Sequence, residues 1–233
     1  MLDIPQGFDR IEVWRSSSAA VTLAELRSRF ERAAVAAGAT RATGAVFEML
    51  VARYAEPHRH YHTLTHIDAC LTWLDWFRAL ARHPEQVELA LWFHDVVYDT
   101  RAGGGQNERE SARLACEALR ELGVPRGKRD RIARHIRATE HHTAPQGDAA
   151  LVVDLDLTIL GARRCDFDGF EEQIRKEYAH VPEDQFRMGR RHVLESFLGR
   201  TAIFCAPQIR DELEARARGN LRRRAAELSS ASA

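Results

Sequence analysis

The sequence predicts an all-α protein, a compact single-domain helical bundle, on three observations. Apolar residues recur three and four positions apart through most of the chain, the spacing of one helix face. Glycine and proline fall between such stretches in short connections, too short to link separate domains. No alternation of apolar and polar residues, the mark of a half-buried strand, lasts more than a few positions. Helices joined in this way imply a bundle, and 233 residues suffice to bury its core without disulfides or structural metal.

In chain order, "TLAELRSRFERAAVAAG" opens on Thr22 and Glu25 at capping-box spacing, carries Leu23, Leu26 and Phe30 on one face, and stops at Gly38. "AVFEMLVARYAEP" repeats the pattern with Phe47, Leu50, Val51 and Tyr54 before Pro57. "THIDACLTWLDWFRALARHP" does so with Ile67, Leu71, Leu74 and Phe77 before Pro84. Further helices are expected over roughly 85–97, 107–122, 127–142, 149–160, 167–179, 183–198 and 207–227, with breaks at "TRAGGGQ", "LGVPRG", "TAPQGD" and "CAPQ". One domain is expected over 1–233, with no internal repeat and a polar tail that frays from about 225.

Charge and cysteine usage narrow the function classes. Lysine plus arginine equals aspartate plus glutamate at 34 each, so no global field draws nucleic acid or an anionic membrane. Only "RARGNLRRR" near the end hints at a basic patch. The four cysteines, Cys70, Cys116, Cys165 and Cys205, form no C-x-x-C pair, which argues against a zinc ribbon or a disulfide framework and for a reducing compartment. The opening "MLDIPQGFDRIEVW" has acids and a proline where a leader needs a basic start and an apolar run. No apolar run reaches membrane-spanning length. A cytoplasmic, soluble protein is expected.

Nine of the 11 histidines lie between His58 and His142. In "RHYHTLTHI", His62 and His66 are four apart and share a face if the segment is helical, a spacing that by itself is more often a surface or capping feature. "ELALWFHDVVYD" sets His94 and Asp95 into apolar surroundings, where unpaired burial is costly. Asp95 capping a helix and His94 making one core hydrogen bond would explain the pair. So would a divalent cation bound by imidazole nitrogen and carboxylate oxygen. Adjacent helical residues point about 100° apart, so both reach one ion only where it lies against the helix between them. "ALVVDLDLTILG" likewise interrupts an apolar helix with Asp154 and Asp156.

The order of these motifs resembles the HD superfamily of metal-dependent phosphohydrolases, whose pattern is a histidine, then His-Asp, then a distant aspartate. "RHYHTLTHI", "WFHDVVYD", "NERESA", "IRATEHH" and "DLDLTILG" together look like a bacterial branch of predicted HD-type phosphohydrolases, from about Tyr54 to Asn220. The resemblance implies an HD-domain, phosphodiesterase-like bundle. It also implies metal ligands His66, His94, Asp95 and Asp156. "YHTLTH" is similar to the Y-H-N-x-x-H of cyclic-nucleotide phosphodiesterases, which makes His66 the ligand and His62 the proton donor to the leaving group. "DLT" resembles those enzymes' "DLS", which favours Asp156, with Asp154 the alternative ligand. The implied cofactor is one divalent ion (manganese, iron, nickel, zinc or magnesium) that activates water for attack on a phosphate ester or nucleotide.

Phosphoryl transfer also wants cations near the metal. Arg59 adjoins the first motif, and "QFRMGRRHVLESFLGR" supplies Arg187, Arg190, Arg191 and Arg200. Arg190 and Arg200 are the preferred substrate contacts, against the alternative of a solvated helix face. "NERESA" opens a helix with Asn107 as expected N-cap. The resemblance adds that Glu108, or else Glu110, approaches the metal-activated water. His135, His141 and His142 lie where HD-GYP phosphodiesterases hold a second metal, but the G-Y-P signature is missing. One tightly held ion is therefore expected, with His142, facing the same way as Thr139, near the substrate or at a weaker second site. The expected working unit is a monomer or homodimer. The competing class is a non-catalytic metal- or nucleotide-binding HD module.

Overall fold

A computed structural model describes residues 21–142 and 146–230. The opening stretch read above for a leader, 1–20, lies outside the described residues, as do 143–145 of the "TAPQGD" break. Helix α1 (Leu23–Ala37) starts on the expected capping box: Glu25 N–H donates to Thr22 Oγ1 at 3.2 Å and Thr22 N–H to Glu25 Oε2 at 2.8 Å. It ends at Gly38, whose φ of 101° is the left-handed conformation that glycine adopts without a Cβ clash. Its buried face, Leu26, Phe30, Ala33, Ala34 and Ala37, meets the core, where Phe30 packs edge-on to Trp92 at 5.6 Å.

Helices α2 (Gly44–Tyr54) and α3 (Leu64–Phe77), the latter prolonged by a 3-10 turn at Arg78–Leu80, lead to α4 (Pro84–Phe93). This helix is the centre of the bundle: every residue from Gln86 to Phe93 is buried, and α1, α3, α6 and α7 pack around it. Its two buried polar side chains are matched. Arg131 donates to Gln86, and Arg29 and Arg78 to the two oxygens of Glu88.

The remaining helices are α5 (Gln106–Glu121), α6 (Arg126–Ala138), α7 (Gly147–Asp156) with a 3-10 turn at Leu157–Gly161, α8 (Arg164–Glu177), α9 (Glu183–Leu198) and α10 (Pro207–Ser230). The ten helices among the described residues form an all-α bundle around one continuous apolar core. Helix α10 crosses the 3-10 turn so closely that a Cβ on Gly161 would stand 2.7 Å from Leu213 Cβ. Asn220 Nδ2 ties the two by donating to the carbonyls of Leu160 and Ala162.

Four expectations are corrected. Helix α4 stops at Phe93, so His94 and Asp95 occupy the turn beyond it and not adjacent helical positions. Asn107 is not the N-cap of α5. Gly105 holds that place at φ 68°, and the Asn107 amide instead pairs with the backbone of Asp99 at both N–H and C=O. Helix α6 ends at Ala138, before Thr139.

The tail expected to fray from about 225 is helical as far as Ser230, and 231–233 lie outside the described residues. Helix α10 runs on to Ser230 because Ala225 and Leu228 are buried and Arg187 donates to the carbonyls of Glu227 and Leu228. The basic stretch is mostly spent within the fold. Arg218 serves Glu214 and the carbonyls of Leu198, Arg200 and Thr201, Arg223 pairs with Asp168 and Glu227, and Arg224 pairs with Glu171 and Glu227. Among the described residues no helix is long and apolar enough to cross a membrane, and all four cysteines are free.

Candidate metal centre

Three segments converge where α4 leaves the core. The first turn of α3, capped by Thr63, carries His66. The turn after α4 carries His94 and Asp95, and the last residue of α7 is Asp156. His94 Nδ1 lies 2.9 Å from the Leu91 carbonyl, which can only accept, so Nδ1 holds the proton and Nε2 faces the other donors. His66 Nε2 is 3.2 Å from His94 Nε2, 3.2 Å from Asp156 Oδ1 and 3.6 Å from Asp95 Oδ2. His94 Nε2 is 3.0 Å from Asp95 Oδ2 and 3.4 Å from Asp156 Oδ1. One ligand atom from each of these four residues lies within 4.8 Å of all the others, and this is the one such group among the described residues.

The electrostatics of the cluster favour a cation. Burial alone would lower the His94 pKa, but the Asp95 and Asp156 carboxylates overcome it and push the ring well up. Burial works against ionising the two acids as well. The charge on His94 and the hydrogen bonds from the histidines outweigh it and hold both carboxyls below their usual range. His66 is lowered, first by burial, and the charge on His94 adds to the effect. A positive charge at His94 Nε2 is therefore favoured by the two half-buried carboxylates. A divalent ion competes with that proton for the same lone pair. Two buried imidazole nitrogens and two half-buried carboxylate oxygens, mutually close, could hold such an ion and would leave coordination positions open.

Asp154, the alternative ligand, faces away. Its oxygens accept from the N–H groups of Cys205 and Ala206 at 2.8 and 2.6 Å and cap the connection into α10. Burial raises its pKa to about 6 against those two hydrogen bonds.

His62 precedes α3 in a turn, so it reaches the cluster through tertiary placement and not through a shared helix face. Its Nε2 stands 4.0 Å from Asp95 Oδ2, its ring stacks on Tyr98 at 4.1 Å, and its Nδ1 lies 2.7 Å from Glu177 Oε2. Glu177 is the residue that sequence reasoning missed. Its fully buried carboxylate accepts at Oε1 from the N–H groups of His60, Tyr61 and His62 at 2.8, 2.8 and 3.0 Å, and at Oε2 from Tyr98 OH at 2.9 Å. Burial opposes its charge, but the His62 contact and the amides win and take its pKa down to about 2. A signal was available: Phe167, Phe170 and Ile174 form the buried stripe of α8, and Glu177 continues it at helical spacing, an acid on an apolar face.

Cys70, also missed, places its thiol 3.7 Å from His66 Nε2. Burial pushes its pKa far up, so it stays a neutral thiol.

The arginines are placed otherwise than expected. Arg59 is not free for substrate. Its side chain is fully buried between the Tyr54 and Tyr98 rings and donates to the carbonyls of His62, Asp95 and Val96 and to Glu56, stapling the His62 turn to the His94–Asp95 turn. Arg190 forks onto buried Glu171 over the Phe170 ring and is not a free clamp. Arg200 stacks on Phe197 and donates to the carbonyls of His141 and His142 at 3.0 and 2.6 Å, so it holds the His142 turn.

His142, at φ 46°, does stand at the site, its Nε2 3.2 Å from Asp156 Oδ2, the carboxylate oxygen turned away from His66. Thr139 is buried, and its hydroxyl donates to the Ile136 carbonyl. Glu108 is half-buried in the first turn of α5 and makes no hydrogen bond or ion pair among the described residues, while Glu110 pairs with Arg113 on the surface. His141 is exposed beside Glu140, and His135 lies along α6 with both ring nitrogens buried and making no hydrogen bond, so these two do not join His142 in a second donor set among the described residues.

A cleft of about 520 Å³ opens behind Tyr98 and Glu177 and is lined by none of the four donors, so donor chemistry and not depth marks this site. Comparison of the chain with protein-family models, with curated proteins and with solved structures returns no match.

Proposed function

We propose that the chain is a metal-dependent phosphohydrolase acting on a phosphate ester or nucleotide. The observation that carries this reading is a set of two buried imidazoles and two half-buried carboxylates with a further histidine, His62, held beside it by a buried carboxylate. A divalent ion bound there supplies Lewis acidity and an activated water. Mixed nitrogen and oxygen donors suit manganese, iron, nickel or zinc, with magnesium the harder alternative. His66, His94, Asp95 and Asp156 hold the ion, His62 delivers a proton to the leaving oxygen from the Asp95 side, and His142 contacts the phosphate from the Asp156 side. The reading includes a cytoplasmic protein, consistent with four free thiols, that works as a monomer or homodimer on a small molecule.

One observation favours a second reading, a non-catalytic module that binds metal or nucleotide. The three arginines expected to contact substrate, Arg59, Arg190 and Arg200, all spend hydrogen bonds on the chain itself. Turnover separates the two readings. Metal-loaded protein would be screened against nucleotides, cyclic nucleotides and sugar phosphates, with Asp95→Ala as control. Hydrolysis lost in the control supports the first reading, and metal uptake without turnover of any substrate supports the second.

A further inference from the structure

We infer that Glu177, together with Tyr98, is a positioning residue that dictates which nitrogen of His62 faces the donor cluster. Its catalytic consequence rests on the phosphohydrolase reading, whereas its structural core does not.

An ionised carboxylate only accepts hydrogen bonds, so the 2.7 Å contact from Glu177 Oε2 requires the proton of His62 to sit on Nδ1. The carboxylate cannot swing away, because Oε1 is held by three successive backbone N–H groups. The ring cannot flip cheaply either. A flip would set carbon against a buried carboxylate oxygen that the Tyr98 hydroxyl also holds in place. Nε2 is thereby the nitrogen turned toward Asp95, 4.0 Å away.

A purely structural role, tying the His60–His62 turn to α8, would need only the three amide contacts to Oε1. The two contacts to Oε2 go beyond it. Helix stability does not call for this acid either. Glu177 is the last residue of α8, where the helix dipole disfavours negative charge.

In the proposed reaction the His62 Nε2–H bond breaks as an O–H bond forms on the leaving oxygen. The ring is left neutral, with its remaining proton on Nδ1 against Glu177. Without a carboxylate to hold that proton, the protonated ring loses its partner and the transfer slows.

Glu177→Gln makes the test sharp. The glutamine carbonyl must stay on the three amide donors, so its NH₂, which only donates, turns to His62 Nδ1 and drives the ring to the Nε2–H tautomer. Long-range ¹H–¹⁵N spectra of the zinc-loaded full chain should show Nδ1 protonated in the wild type and bare in the variant. With poor leaving groups kcat should fall by roughly 10²–10⁴-fold while KM and metal content hold, and p-nitrophenyl phosphate should suffer far less.

A bare Nδ1 in the wild type overturns the proposal, as does a variant with unchanged tautomer or a loss equal for all leaving groups. If the variant does not fold, the wild-type tautomer decides, and Tyr98→Phe, which keeps the ring stack, should retain it. If the wild type hydrolyses nothing but shows Nδ1 protonated, the positioning stands and only the phosphohydrolase reading falls.

Discussion

Asp154 and Asp156, two residues apart on α7, have opposite tasks. Asp154 accepts from the Cys205 and Ala206 amides at the mouth of α10, while Asp156 Oδ1 lies 3.2 Å from His66 Nε2. Replacing each with alanine should separate stability from metal binding. Asp154→Ala leaves two amides without their buried acceptor and should cost about 1–3 kcal/mol with metal content intact. Asp156→Ala should lose the metal. Equal metal content in both variants, by elemental analysis, would return the choice of ligand to the open state the sequence left it in.

The wild-type protein should take up about one equivalent of a first-row divalent ion and be stabilised by it through mass action, and Asp95→Ala should lose both effects. Thermal unfolding with and without added metal, read beside metal content, is the check. Undiminished binding in the variant would remove Asp95 from the set.

Glu177 should make acid stability asymmetric. Its carboxyl falls from 4.5 to about 2 in the fold. A depressed acid stabilises the native state above its unfolded pKa and loses that contribution as pH drops through the folded one. The stability advantage of wild type over Glu177→Gln should therefore be whole above pH 4.5 and shrink toward pH 2, by about 3 kcal/mol at most. Asp154 runs the other way. Raised to about 6, it contributes most below pH 3.8 and loses that contribution as pH rises through 6. Denaturant unfolding across this range, in both variants, gives the two slopes. A flat difference between wild type and Glu177→Gln would contradict the depressed acid.

Arg190→Lys should now act on stability and not on substrate. An ammonium cannot reproduce the guanidinium fork on buried Glu171, although Arg224 also reaches that acid. A loss of about 1–2 kcal/mol with KM unchanged is expected, whereas Arg191→Lys, in an exposed pair with Glu195, should stay within about 0.5 kcal/mol. A raised KM in the first variant would restore the phosphate clamp.

What was legible in the sequence was local. The Thr22–Glu25 capping box, the Gly38 stop, the bounds of α9 and the all-α class follow from interactions within about one helical turn, which the order of residues states directly. His94, Asp95, Asp154 and Asp156 stand out against an apolar background, but only the resemblance in motif order singled out His66 and preferred Asp156.

What only the tertiary structure decided is who faces whom. Glu177 meets His62 across 115 positions, Arg59 meets the Asp95 carbonyl across 36, and Asp154 meets Ala206 across 52. Helical periodicity places a side chain on a buried face. It does not say whether the partner waiting there is a histidine, an amide or another arginine. Two aspartates on one short helix therefore read alike in sequence, and the connection into α10 on one side and α3 and α4 on the other made one a cap and the other a candidate ligand.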